Sequence, residues 1–176
     1  MTGGEARHRV AIAGCGGRMG RALLEAIAAA PDCQLSAALA RAGSTLLGQD
    51  AGAALGQRTG VQVQADPRQA LLDAQCLIDF TRPQATLEHL GVCESMGVAM
   101  VIGTTGFDVD GLRRIEQAAA RIPIVLSPNM SVGVNVVLKL LEQAGRALSS
   151  GFDIEVIEAH HRHKVDAPSG TALKMG

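Results

Sequence analysis

Tryptophan and tyrosine are absent from this 176-residue chain, and phenylalanine occurs only at positions 80, 107 and 152. So few rings exclude a stacking platform for single-stranded nucleic acid. An excess of charge of either sign is missing too: 16 Lys+Arg stand against 17 Asp+Glu, a formal net charge of −1. That balance gives no attraction to nucleic acid or to an anionic membrane, and neither is expected as a partner. No apolar run approaches the ~18–20 residues that a membrane helix needs. The opening stretch carries Glu5, Arg7, His8 and Arg9 and lacks the apolar region and cleavage site of a secretion signal. Cys15, Cys33, Cys76 and Cys93 contain no C-x-x-C pair, which reads as reduced thiols in a cytoplasmic setting. Disorder is excluded as well, since 21 glycines and only 6 prolines lie among aliphatic segments, the composition of a packed domain with tight turns.

What is present is an alternation of short β-type runs and longer helical ones. Strands are predicted at Arg9–Ala13, Gln34–Leu39, Val61–Gln64, Cys76–Phe80, Val98–Ile102, Ile124–Leu126 and Phe152–Ala159. Helices are predicted at Arg18–Ala30, Pro67–Asp73, Pro83–Met96, Asp108–Ala120 and Ser131–Leu148. Asp66 before Pro67 has the form of an N-cap with proline at the first helical position. Strand–helix alternation implies parallel βαβ units and a sheet covered on both faces. Ala40–Gly60 is the loosest stretch. After Asn129 the pattern changes to a long helix and then the partly alternating run Phe152–Ala159, which suggests a half-exposed strand of a mixed sheet. The fold class expected is therefore α/β: a Rossmann-type parallel-sheet domain over residues 1–130, then the start of a mixed α+β unit over 131–176.

The first chemical motif is Val10-Ala-Ile-Ala-Gly14-Cys15-Gly16-Gly17-Arg18-Met19-Gly20, a strand running into a glycine turn and a helix. Glycines 14, 17 and 20 meet the needs of a dinucleotide site: a tight turn, a close approach to pyrophosphate, and close helix–sheet packing. The helix N-terminus adds free N–H groups and partial positive charge. After the second strand, Ala40-Arg41 stands where an NAD site places a carboxylate, so NADPH is the expected cofactor, with NADH possible. Arg41 would pair with the 2′-phosphate, although it is also readable as a solvated loop residue. Three further loops follow strand ends: Phe80-Thr81-Arg82-Pro83, Gly103-Thr104-Thr105-Gly106 and Ser127-Pro128-Asn129-Met130. In an open α/β sheet, ligands bind at that edge.

The densest cluster is Glu158-Ala-His160-His161-Arg162-His163-Lys164-Val-Asp166-Ala-Pro168-Ser169-Gly170-Thr171. Three histidines, an arginine and a lysine concentrate positive charge, and Ser169-Gly170-Thr171 opens an apparent helix able to hold a carboxylate. A small anionic substrate fits this cluster, with His and Lys as proton donors. No metal is expected, because His160 and His163 supply only two ligands and no cysteine is near to complete a site.

These segments, together with Asp79-Phe-Thr-Arg-Pro83, Val101–Phe107 and Ser131-Val-Gly-Val-Asn135, resemble the 4-hydroxy-tetrahydrodipicolinate reductase family across nearly the whole chain. The resemblance implies NAD(P)H-dependent reduction of 4-hydroxy-tetrahydrodipicolinate to tetrahydrodipicolinate in the diaminopimelate route to lysine. It implies cofactor contacts from Gly14 to Met19, at Arg41, from Gly103 to Thr105 and from Ser127 to Met130. His160 would be the proton donor and Lys164 a second one. His161, Ser169, Gly170 and Thr171 would hold the dicarboxylate. Family chains are longer, so residues 131–176 are expected to be only the beginning of a substrate-binding domain that also builds a homotetramer. Many members carry an acidic residue where this chain has Ala40, a departure that weakens the case for NADH. The competing readings are a non-catalytic NADPH-binding module and another Rossmann dehydrogenase acting on a small dicarboxylate.

Overall fold

A computed structural model describes residues 6–160, 162 and 168–176. The chain divides into two compact units, Met1–Leu126 and Ser127–Gly176.

The first unit is a parallel sheet with helices on both faces. Its elements run β1 (His8–Ala13), α1 (Arg18–Ala29), β2 (Cys33–Leu39), β3 (Val63–Gln64), α2 (Pro67–Ala70), β4 (Cys76–Asp79), α3 (Pro83–Met96), β5 (Ala99–Ile102), α4 (Val109–Ala119) and β6 (Ile124–Leu126). The strand order is β3-β2-β1-β4-β5-β6 and every pairing is parallel. The order reverses between β1 and β4, which makes the carboxyl ends of those strands the switch point of the sheet.

Side-chain alternation along β1 explains why both faces are covered. Ala11 and Ala13 enter one core with Leu77, Leu90, Met100 and Ile115, whereas Val10 and Ile12 enter another with Leu24 and Ile27 of α1. Successive residues of a strand point to opposite faces, so a central strand that is apolar from Val10 to Ala13 needs helices on each side. Caps set the helix starts. The Asp66 carboxylate accepts from Arg68 N–H at 2.9 Å, with Pro67 opening α2, and Asp108 accepts from Gly111 N–H at 2.7 Å.

Two expectations change within this unit. The third strand is shorter than Val61–Gln64, and residues 40–60 are far from loose. Asp50 gathers that loop: its Oδ1 accepts from Gly52 N–H, Thr59 N–H and Thr59 Oγ1, and its Oδ2 from Gly60 N–H, all at 2.8–3.0 Å. Val61 is drawn into the loop instead of the sheet, its carbonyl accepting from Ala51 N–H at 2.8 Å. An aspartate can satisfy several turn amides at once, which composition alone does not reveal.

The second unit contains α5 (Val132–Ala147) and α6 (Gly170–Met175). Ser131 and Ser169 cap them, accepting from Val134 N–H and Ala172 N–H. No residue of α5 is buried. The strand expected over Phe152–Ala159 is absent: that segment has no regular structure, and Phe152, Ile154 and Ile157 are exposed. Alternation marks a segment fit for a sheet face, but a strand exists only with a hydrogen-bonded neighbour, and none pairs with it among the described residues.

Candidate functional site

Loops at the carboxyl ends of adjacent strands build the site in the first unit. Gly14 closes β1 at φ +68, a left-handed conformation in which a side chain would be strained. The next residue, Cys15, is buried, and its N–H donates to Leu39 carbonyl at 3.0 Å, so the turn is anchored to the end of β2. Gly16 lies under Leu46 of the Asp50 loop, and Gly17 N–H returns to Gly14 carbonyl at 2.9 Å. Gly20 is buried at the first turn of α1, where a Cβ would run into Gly14 carbonyl and lie 2.7 Å from Cys15 Cα. The turn therefore brings helix and strand closer than any side chain permits.

Like α3, and unlike α2, α4 and α5, α1 has no side-chain cap at its start, and its first turn contains no acidic residue. Helix starts otherwise leave N–H groups to be met by side chains, water or a ligand. Gly17, Arg18 and Met19 are exposed there, and Arg41 is exposed on the loop after β2. An uncapped N-terminus, a backbone-only approach and the exposed Arg18 and Arg41 suit a pyrophosphate and a further phosphate. The residues present fit a dinucleotide.

Gly103 follows β5 with its backbone against the Phe80 ring, leaving no room for a Cβ. Thr104 is buried and its hydroxyl turns inward, accepting from Thr86 Oγ1 at 2.9 Å. Thr105 is half-buried.

The second unit holds the remaining described candidates. Ser127 Oγ donates to Asn129 carbonyl at 2.8 Å, and Asn129 Oδ1 accepts from Ser131 N–H at 2.9 Å. Asn129 Nδ2 reaches Thr171 Oγ1 at 3.5 Å, which brings the Ser127–Met130 loop to the start of α6. Pro128 and Met130 are exposed. His160 is exposed, and its Nδ1 lies 3.1 Å from Glu158 Oε2. The same carboxylate accepts from Ser169 N–H at 3.1 and 3.2 Å. Ser169 is buried, with Gly170 and Thr171 half-buried beside it. His161 and Lys164 lie outside the described residues.

Glu158 is the residue to which sequence reasoning assigned no role. It ties the imidazole of His160 to the cap of α6, eleven residues along the chain. Its signal was only a carboxylate two positions before a histidine, too common a pair to single out.

The family model described as "Dihydrodipicolinate reductase, N-terminus" matches residues 8–130, and that described as "Dihydrodipicolinate reductase, C-terminus" matches residues 133–176. The 4-hydroxy-tetrahydrodipicolinate reductase of Thiobacillus denitrificans is 62% identical over 168 residues, covering 96% of this chain and 63% of its own. That of Bordetella parapertussis is 60% identical over 169 residues, covering 96% and 62%. The chain thus spans a little under two thirds of the length of these relatives. Among solved structures, the dipicolinate-bound dihydrodipicolinate reductase of Paenisporosarcina sp. TG-14 superposes with a TM-score of 0.75 at 28% identity, covering 96% of this chain and 64% of that one. The WlbA dehydrogenase of Bordetella pertussis, in complex with NADH and UDP-GlcNAcA, gives 0.60 at 21% identity over 81% of this chain and 41% of that one, a likeness of fold alone. With both family models matched in order along one chain, the protein belongs to the dihydrodipicolinate reductase family.

Proposed function

We propose that this chain carries the cofactor-binding unit and the start of the substrate unit of a 4-hydroxy-tetrahydrodipicolinate reductase. The observation that carries the proposal is the uncapped, glycine-turned start of α1 at the switch point, in a member of that family. When bound, a reduced nicotinamide supplies the hydride. The reaction takes up that hydride and one proton and releases the 4-hydroxyl as water, giving tetrahydrodipicolinate. Family membership supports the reductase over a module that binds NADPH without turnover, as it does over another dehydrogenase.

The chain's own groups divide the work. Gly14–Met19 hold the pyrophosphate on backbone N–H groups. Arg41 meets a 2′-phosphate, with no carboxylate at Ala40 to favour the free hydroxyl, so NADPH is preferred over NADH. Gly103–Thr105 and Ser127–Met130 place the remainder of the dinucleotide. His160 holds the proton, oriented by Glu158 through Nδ1 so that Nε2 is left to donate. Lys164 is the second donor. His161 and the start of α6 at Ser169, Gly170 and Thr171 hold the dicarboxylate. A homotetrameric assembly and a cytoplasmic setting accompany the proposal, and four free thiols suit a reducing compartment.

The test supplies freshly made product of the upstream synthase and follows loss of nicotinamide absorbance, with the 176-residue chain beside a version of full family length. Oxidation of NADPH by the longer version, faster than of NADH, is the expected result. His160→Gln lowers kcat about 10²–10⁴-fold, the range of a lost general acid, and leaves the Kd for NADPH near wild type. No oxidation by the longer version overturns the reductase reading, and a large loss of NADPH affinity in His160→Gln removes its role as proton donor.

A further inference from the structure

Beneath the loops of the first unit lies a polar cluster that the dinucleotide reading leaves without a role. Asp79 ends β4 at 0% exposure, and Thr86 on the first turn of α3 is equally buried. A carboxylate so placed is costly unless it is paired and hydrogen-bonded. Its Oδ2 lies 2.7 Å from Nδ1 of His89. Its Oδ1 accepts from Thr81 N–H at 2.8 Å and Thr81 Oγ1 at 2.6 Å, and more distantly from Thr104 Oγ1 at 3.4 Å. Burial pushes the carboxyl up, but the bonds from His89 and Thr81 outweigh it and hold the group below the usual carboxylate range.

Each hydroxyl has a single proton to give. That of Thr81 is committed to Asp79 and that of Thr86 to Thr104, so the orientation of Thr104 is dictated from below. Thr81 also abuts the glycine turn, its Cγ2 2.9 Å from where a Cβ of Gly14 would stand. One buried carboxylate thereby governs the loops after β1, β4 and β5. Apolar residues of similar volume often stabilise a fold as well as a buried ion pair does. What they cannot do is orient hydroxyls.

We propose that Asp79, with His89 as its partner, is a positioning residue for the dinucleotide: through Thr81, Thr86 and Thr104 it sets the three strand-end loops without touching the ligand. This rests on the dinucleotide reading above.

The experiment titrates NADPH into the 176-residue chain and its Thr86→Val, Thr86→Ser and Asp79→Asn variants, with circular dichroism confirming fold at the assay temperature. Thr86→Val deletes the proton and nearly keeps the shape. Its Kd is expected to rise about tenfold, the scale of one lost buried hydrogen bond, while Thr86→Ser stays within about twofold of wild type. Asp79→Asn weakens binding further, and if it does not fold, the Thr86 pair decides. Wild-type affinity in Thr86→Val, or equal weakening in Thr86→Ser, overturns the proposal and leaves the dinucleotide reading standing. Absence of saturable binding by the wild type overturns that reading itself.

Discussion

At the scale of single residues, two carboxylates are held below their ordinary range for different ends. Asp79 governs loops at the switch point, while Asp50 organises the loop that roofs Gly16. Backbone bonds from Thr59 and Gly52, with the Thr59 hydroxyl, lower the Asp50 pKa from an ordinary 3.8 to about 2. Above about pH 5 the carboxylate is ionised in both folded and unfolded chains, and its contribution is fully present. As pH falls towards 2 the unfolded chain takes up the proton first, so that contribution is lost. The protection of the Gly52, Thr59 and Gly60 amides, taken against unstructured peptide at the same pH, should fall as pH is lowered towards 2. Asp50→Asn should show accelerated exchange already at pH 7, with the acid step flattened. Unchanged protection of those amides in Asp50→Asn at pH 7 contradicts this account.

At the scale of elements, the contact that matters most is α1 against β1. Gly20 permits it, and Gly20→Ala forces the helix away, because the methyl group would meet backbone at 2.7–2.8 Å rather than a yielding side chain. Overpacking of this kind costs roughly 1–3 kcal/mol. A calorimetric Tm lowered by several degrees, together with a raised Kd for NADPH, is the expected outcome; an unaltered Tm would show that the helix can shift freely. Nearly all the elements of the first unit were legible in the sequence, for a physical reason: short, nearly continuous apolar runs, Asp and Pro at helix starts, and glycine turns are local signals. The start of α1 was legible for the same reason. Long-range facts were not. The Asp50 loop, the Asp79 cluster and the bond from Glu158 to Ser169 rest on contacts 9 to 25 positions apart in the chain, through side chains common in any sequence. The segment 152–159 failed in the opposite direction, for its alternation is local, whereas the pairing that makes a strand is not.

At the scale of the whole molecule, the first unit is self-sufficient in apolar burial and the second is not. Along α5, Val132 is 79% exposed, Val136 53% and Leu140 58%. Residues four apart form a ridge, the surface by which helices pack into the grooves of other helices. Contiguous apolar stripes of this kind mark interaction surfaces on soluble proteins. The surrounding charge does little to oppose association: Lys139 and Arg146 are both engaged with Glu142, at 2.9 and 2.6 Å. The 176-residue chain should therefore self-associate through α5. Sedimentation velocity over a hundredfold range of protein concentration should show a rising average mass. Val136→Lys combined with Leu140→Lys places two charges in the ridge and should return the monomer, leaving NADPH affinity at its wild-type value, because neither position is among the proposed cofactor contacts. A wild-type chain that stays monomeric throughout removes α5 as an association surface. A loss of NADPH affinity in the double variant would show that α5 serves the cofactor as well as assembly.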